Sequence, residues 1–309
     1  MVRKWMFILL LIVLGIGSLI GYDGYRIQQT LIGQSDRSRL LPAEKKKDDT
    51  ADQAWMKQQD TEQLQLTTTD EVRIGRYLPA ASSSDKTVVL LADDVRFGSS
   101  QTAPLIRFYQ EQLGYNVFVP DRRGQGASEG TVNYGWLDRL DLIDWTNQLM
   151  EETGTRHVVY HGVGIGGATV LLAAGEPTVP KQVKAVISEG AYARLDDWFQ
   201  SLAKVNLPYP AGPSLAVASS FNKVEQDFFY GDVSVTRQTS RIMVPTLFIQ
   251  GMEDKVVPPR MVYELYQAKP GIKQLYPVRG AGHGSTYSDN PENYKKRLRL
   301  FVQPFVRTP

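Results

Sequence analysis

Few side chains in this chain are suited to chemistry, and their types narrow the options. There is no cysteine, which excludes thiol nucleophiles, thiolate metal sites and disulfides. Histidine occurs only as His157, His161 and His283. A multi-histidine metal site would need nearly all three, so neither a metal nor another cofactor is expected. Hydroxyl and acid–base chemistry remain. The stretch built to present a nucleophile is Arg156 to Ala174, R-H-V-V-Y-H-G-V-G-I-G-G-A-T-V-L-L-A-A. A β-branched and aromatic run, His157 to His161, meets a cluster of glycines, and an apolar run with helical promise follows from Ala168. Strand, tight turn and helix in that order are what a G-x-S-x-G elbow requires. Small residues let the chain turn sharply and lift one side chain above the end of a sheet. Here the five residues are Gly162-Val163-Gly164-Ile165-Gly166, and Gly164 stands where the serine belongs.

The elements that would hold such an elbow alternate regularly. Leu64 and Leu66, then Val72 to Leu78, read as strands by period-two alternation. Thr87 to Ala92 is a continuous apolar run, as expected of a parallel strand covered on both faces. Asn116 to Pro120, Val158 to Tyr160, Val183 to Ser188, Val244 to Ile249 and Leu275 to Val278 continue the series. Helices are expected at Thr102–Leu113, Leu137–Met150, Ala168–Ala174, Met261–Ala268 and Pro291–Val306. This rhythm predicts an α/β fold with a mostly parallel central sheet and helices on both faces. Tyr192 to Ser240 interrupts it with three prolines, many aromatics and no buried-strand run. A strandless interval of about 50 residues is too long for a plain loop and predicts a small, mainly helical cap.

The N-terminus differs in kind. Arg3 and Lys4 precede an uncharged run from Trp5 to Tyr22, close to the length of about 20 residues that spans a bilayer. The run exceeds the core of about 7–15 residues of a cleaved signal, and Gly17-Ser18-Leu19-Ile20-Gly21 is a poor cleavage site. Residues 1–22 are therefore expected to be a cytoplasmic start and a single signal-anchor transmembrane helix. The positive-inside rule then puts the rest of the chain outside the cell. Residues 23–63 read as a polar stalk with a short helix near 54–60, where Trp55 and Met56 would anchor it to the domain at 64–309. The 309 residues carry 35 basic and 33 acidic side chains, a net charge of +2, which gives no reason to expect nucleic acid as a partner.

Four motifs in order carry a resemblance. Gly114-Tyr115-Asn116-Val117 through Asp121-Arg122-Arg123-Gly124-Gln125-Gly126-Ala127-Ser128 resembles G-Y-x-V … D-x-R-G-H-G-x-S. Gly162 to Gly167 resembles G-x-S-x-G-G. Pro245-Thr246-Leu247-Phe248-Ile249-Gln250-Gly251-Met252-Glu253-Asp254 through Pro258 resembles P-x-L-x-I-H-G-x-x-D-x-x-V-P. Gly280-Ala281-Gly282-His283-Gly284 resembles a histidine loop. Together they resemble the α/β-hydrolase fold family, in particular its membrane-anchored bacterial serine aminopeptidase and lipase-like members. The resemblance implies Asp254 as the acid and His283 as the base of a Ser-Asp-His triad whose nucleophile position is Gly164. It also implies Ile165 and the loop after the third strand as the oxyanion region. There the usual His-Gly is replaced by Ala92-Asp93, with Asp94 next, and carboxylates near that spot would oppose negative charge.

Gln125 and Gln250 stand where the family has histidines, so the departures cluster on functional loops while the strands stay apolar. The expectation is a degenerate hydrolase with an acid and a base but no nucleophile, binding a small apolar, acyl or peptidyl ligand under the cap. Two readings compete. One is an active esterase or peptidase using a substitute nucleophile, such as Ser188 at the end of its strand, or a substrate-assisted route; Glu189 is a further candidate group. The other is a surface scaffold. Ser128 matches a serine that is usually structural in the family.

Overall fold

The computed structural model describes residues 2–32, 50–67, 71–80, 87–92 and 103–306. These fall into two compact units: Met1–Pro42 with Arg194–Val233, and Ala43–Ala193 with Ser234–Pro309.

The larger unit is built on an eight-stranded sheet: β1 (Glu62–Thr67), β2 (Val72–Leu78), β3 (Thr87–Ala92), β4 (Asn116–Pro120), β5 (His157–Val163), β6 (Val183–Glu189), β7 (Thr246–Gly251) and β8 (Lys273–Val278). Their spatial order is β1-β2-β4-β3-β5-β6-β7-β8. The β1–β2 and β2–β4 pairs are antiparallel, and every pair from β4–β3 onwards is parallel. Composition explains the centre: β3, β4 and β7 are buried at every position, as strands covered on both faces must be. Register fixes what stands at the carboxyl edge. Ala92 pairs with Gly162, Gly162 with Ser188, and Ser188 with Phe248, so the ends of β3, β5, β6 and β7 lie side by side. Open α/β sheets bind ligands at that edge.

The helices of this unit follow their sequence signals. α2 (Thr50–Met56) is short, and its Trp55 and Met56 pack half-buried against the core. It ends where the sequence placed its middle. α3 (Ala103–Arg107) runs on into a wide π-helical turn, Phe108–Gln112, and the chain leaves it through Gly114 at φ 71°. α4 (Asp138–Thr153) stops at Gly154 in the left-handed conformation. α5 (Ile165–Ala174) is buried along its whole length, which is why its sequence is apolar all round. α8 (Val235–Thr239), α9 (Arg260–Ala268), α10 (Thr286–Asp289) and α11 (Pro291–Val306) complete the unit. α11 sets Leu298, Phe301 and Val302 into the same cluster as Val89, Val159 and Ile187.

The smaller unit joins α1 (Val2–Ile32), α6 (Leu195–Asn206), α7 (Gly212–Gln226) and a 3₁₀ turn at Tyr230–Asp232. The expected cap is therefore helical. The expected stalk is corrected at its start, because α1 continues ten residues past Tyr22 to Ile32. The continuation has a physical cause. Gly24, Ile27, Gln28 and Leu31 recur at helical spacing and are buried, and that stripe packs on α7. At Gly24 even a Cβ would lie 2.7 Å from Val217, so the two helices approach closely. Gln28 donates to Asn222 at 3.1 Å and to Glu225 at 2.8 Å, and accepts from the Tyr230 hydroxyl. Tyr25 meets Phe221 edge-on at 5.6 Å. Upstream, the large apolar residues from Trp5 to Leu19 are exposed. α1 is the one helix among the described residues long and apolar enough to cross a membrane. The rest of the expected stalk, 33–49, lies outside the described residues.

Candidate functional site

Local chain stiffness builds the elbow first. β5 delivers the chain to Gly164, which takes φ 60°, ψ −119° and caps α5. That conformation lies outside the wells open to ordinary L residues and is easy only for glycine. The Gly164 N–H donates to the Glu189 carbonyl at 2.8 Å, and its carbonyl accepts the Ala168 N–H at 3.2 Å, the first bond of the helix. The flanking glycines are required by backbone contact. A Cβ on Gly162 would sit 2.1 Å from the Gly166 carbonyl oxygen, and one on Gly166 would sit 2.3 Å from that of Ala92. The strained turn of a nucleophile elbow is thus fully formed around a residue that has no side chain. Ile165, the residue the resemblance named as oxyanion donor, is the first residue of α5, where backbone N–H groups have no intrahelical partner. Asp93 and Asp94, the other expected oxyanion-region residues, lie outside the described residues.

The expected acid and base, Asp254 and His283, are brought together from loops after β7 and β8. His283 Nδ1 lies 2.7 Å from Asp254 Oδ2, and both side chains are buried. The carboxylate is held from three further sides. Its Oδ1 accepts the Val256 and Val257 N–H groups, each at 2.8 Å, and its Oδ2 accepts Gln250 Nε2 at 3.1 Å. Gln250, the departure from the family's histidine, thus contributes to positioning the acid, and it also donates to the Gly251 carbonyl at 3.1 Å. A carboxylate on Nδ1 fixes the tautomer that leaves Nε2 as the basic nitrogen. Gly190, just past β6 at φ 59°, faces the pair: a Cβ there would lie 3.5 Å from the His283 ring and 3.8 Å from Asp254 Oδ2.

The substitute candidates are engaged elsewhere. Ser188, buried at the end of β6, donates its hydroxyl proton to the Gly167 carbonyl at 3.0 Å and so fastens sheet to helix. Ser128 donates to the Asp121 carbonyl at 2.7 Å and accepts the Ile74 N–H at 2.9 Å, the structural role its motif suggested. Gln125 bonds to the neighbouring Gly124 carbonyl at 3.0 Å. Glu189 is buried, accepting from Thr286 Oγ1 and, at 2.6 Å, from the Tyr294 hydroxyl. Burial raises its carboxyl above the ordinary value; those two hydrogen bonds and His283 pull it back. Beyond it, His161 lies between Tyr109, 2.9 Å from Nδ1, and Tyr294, 3.4 Å from Nε2. Desolvation pushes the His161 pKa down to about 3, so the ring is neutral. The buried chain Tyr109–His161–Tyr294–Glu189–Thr286 carries no sequence signal as a whole. Only the polarity of His161 and Glu189 at strand positions hinted at it.

An arrangement of this kind can accept a proton at His283 but can form no covalent intermediate at residue 164. Comparison with known proteins agrees with the fold. The model of the α/β hydrolase fold matches residues 97–227. The chain is 29% identical to the Bacillus subtilis protein YqkD over 192 residues, 62% of this chain and 63% of YqkD. It is 26% identical to protein bem46 of Schizosaccharomyces pombe over 210 residues, 66% and 64% of the two chains. It therefore spans a little under two thirds of the length of either relative. It is also 25% identical to the Saccharomyces cerevisiae membrane protein YNL320W over 228 residues, 73% and 74% of the two chains. Among solved structures, an esterase of Pyrococcus furiosus superposes with a TM-score of 0.63 at 22% identity, over 81% of this chain and 94% of that one. The esterase domain of a Rhodothermus marinus protein gives 0.59 at 18% identity, over 80% and 100%. With the sheet order, the elbow and the Asp254–His283 pair in the order their motifs required, the chain has the α/β-hydrolase fold.

Proposed function

We propose that this protein is a membrane-tethered, non-hydrolytic member of its family, which binds an acyl or peptidyl ligand rather than turning it over. One observation carries the reading: the elbow is fully formed at Gly164, with no side chain at the nucleophile position. Loss of the serine from a triad leaves at most about 10³–10⁴-fold acceleration over water, from the oxyanion hole and binding. The family resemblance assigns Asp93 and Asp94 to the oxyanion region, and carboxylates there would oppose even that remainder. The retained dyad then serves as a polar, hydrogen-bonding floor for the ligand. Tethering rests on the apolar run of α1, and a relative named as a membrane protein agrees with it. Arg3 and Lys4 before that run favour an outward-facing domain. The test is exposure of the purified full chain to a fluorophosphonate probe and a panel of short acyl esters. Neither labelling nor turnover above buffer is expected. Turnover that vanishes in His283→Ala would sink the reading.

The geometry of the dyad favours one alternative. Asp254 is held by three donors besides His283, a degree of support that suits a working base. In that reading His283 activates a water or a group of the substrate directly. Activity would then be measurable and would fall by at least about 10²-fold in His283→Ala.

A further inference from the structure

We propose that the groove between α6 and α7 binds a phospholipid drawn from the bilayer that α1 enters, with acyl carbons against its walls and the phosphate at Lys204. The site stands independently of whether the Asp254–His283 pair does chemistry. The groove has a volume of about 490 Å³, and Leu207, Pro208, Tyr209 and Leu215 supply its apolar surface, with Gln200 and Lys204 as polar lining. That is room for part of an amphiphile, with apolar walls and few fixed polar groups, as ligand sites usually have.

Charge points to an anion. Lys204 is the one charged residue lining the groove, no carboxylate lines it, and among the described residues Lys204 makes no ion pair. Placement points to a lipid. The Tyr209 hydroxyl donates to Asp23 Oδ1 at 2.8 Å, and Asp23 is the first charged residue after the apolar run from Trp5 to Tyr22. That run is about 27 Å long as a helix, roughly one hydrocarbon thickness, so Asp23 falls at the bilayer surface. Gly24, the next residue, lies against Val217 and the Ser214 carbonyl of α7. The groove is therefore pinned to α1 at headgroup level, where tyrosines such as Tyr209 settle. Of the lining residues, Tyr209 is 42% exposed, so the groove's apolar surface reaches its mouth. A soluble ligand would not need that continuity. A lipid would.

Two variants separate the parts of the site. Lys204 is exposed, so Lys204→Gln removes the charge without disturbing packing. Gly212 lines the groove, and an added Cβ there meets nothing within 4 Å, so Gly212→Leu adds bulk at the groove wall without a clash. The full chain is reconstituted into vesicles of phosphatidylcholine, alone or mixed with phosphatidylglycerol, with a trace of lipid bearing a photoreactive acyl chain. Cross-linked peptides are then mapped. The expected result is labelling of residues 200–215 in addition to α1, stronger with phosphatidylglycerol. It should fall about fivefold in Lys204→Gln and be lost in Gly212→Leu, with labelling of Trp5–Tyr22 unchanged. Labelling confined to the span, or unaffected by Lys204→Gln, overturns the proposal. So does full competition by soluble glycerol phosphate, which would make the groove a phosphate site only. Cross-links joining the 200–215 segments of two copies would overturn it as well, by making the groove an interface between chains.

Discussion

Gly164 and Gly190 show how much one absent side chain can decide. At Gly164 the backbone keeps a conformation that in a hydrolase stores strain to present a nucleophile, and here there is nothing to present. Gly164→Ser should restore labelling only weakly. Under the proposed reading, in which Asp93 and Asp94 belong to the oxyanion region, esterase turnover in that variant should stay at least about 10²-fold below an active hydrolase of this fold. Full rescue by that single change would show that those carboxylates play no part. Gly190 is a different case. Its φ of 59° is left-handed, and its missing Cβ leaves ordinary contact distance to His283. Gly190→Ala should therefore destabilise by about 1–2 kcal/mol through backbone strain, read from urea unfolding. Gly162→Ala should fail to fold, because its Cβ would lie 2.1 Å from a carbonyl oxygen.

At the scale of elements, the apolar strands, the α5 run and the cap's lack of strands were legible because each is a local pattern. The extension of α1 was harder to see. Its buried stripe of Gly24, Ile27, Gln28 and Leu31 has two non-apolar members, and Asp23, Arg26 and Gln29 are interleaved with it, so hydropathy ends at Tyr22 while the helix does not. Gln28 is the clearest instance, a polar residue with no exposure, satisfied by Asn222, Glu225 and Tyr230. Gln28→Ala should cost roughly 1–3 kcal/mol, the penalty of disrupting a buried polar cluster. Amide exchange in α7 of the full chain in detergent should rise accordingly, by tenfold or more. Unchanged exchange would mean that α1 does not support α7. The aromatics of the smaller unit behave as structure too: Phe199 meets Tyr230 edge-on at 4.8 Å and stacks on Trp198 at 5.5 Å.

The whole molecule carries two buried groups of opposite pH sense. His161 has its pKa pushed down to about 3 by desolvation, whereas an unfolded histidine titrates near 6.5. Between those values the unfolded chain holds a proton that the folded chain refuses. Stability present above about pH 6.5 is thus lost as the pH falls toward 3. Glu189, raised by burial, works the other way: its contribution is present in acid and is lost as the pH rises through its raised pKa. Comparing wild type with His161→Phe isolates the first effect. The stability difference between them should shrink as the pH drops from about 7 to about 5, measured by urea midpoints. A constant difference would place His161 in contact with water. Topology can be tested as cleanly, because the chain has no cysteine. A single cysteine introduced at exposed Val224 should react with an impermeant maleimide on intact cells. Reaction only after lysis would reverse the proposed orientation.

Fold class, the order of the strands along the chain, the elbow and the missing side chain at Gly164 were all readable from local pattern, because period, glycine placement and motif order are properties of neighbouring residues. Which separated residues meet depends on how the strands and helices pack. Asp254 and His283 are 29 residues apart and Glu189 and Thr286 are 97 apart, and crossovers between parallel strands close those gaps. Ser188 was legible as a hydroxyl at a strand end. That its proton goes to the Gly167 carbonyl depends on how α5 packs on β6, and no local pattern records that.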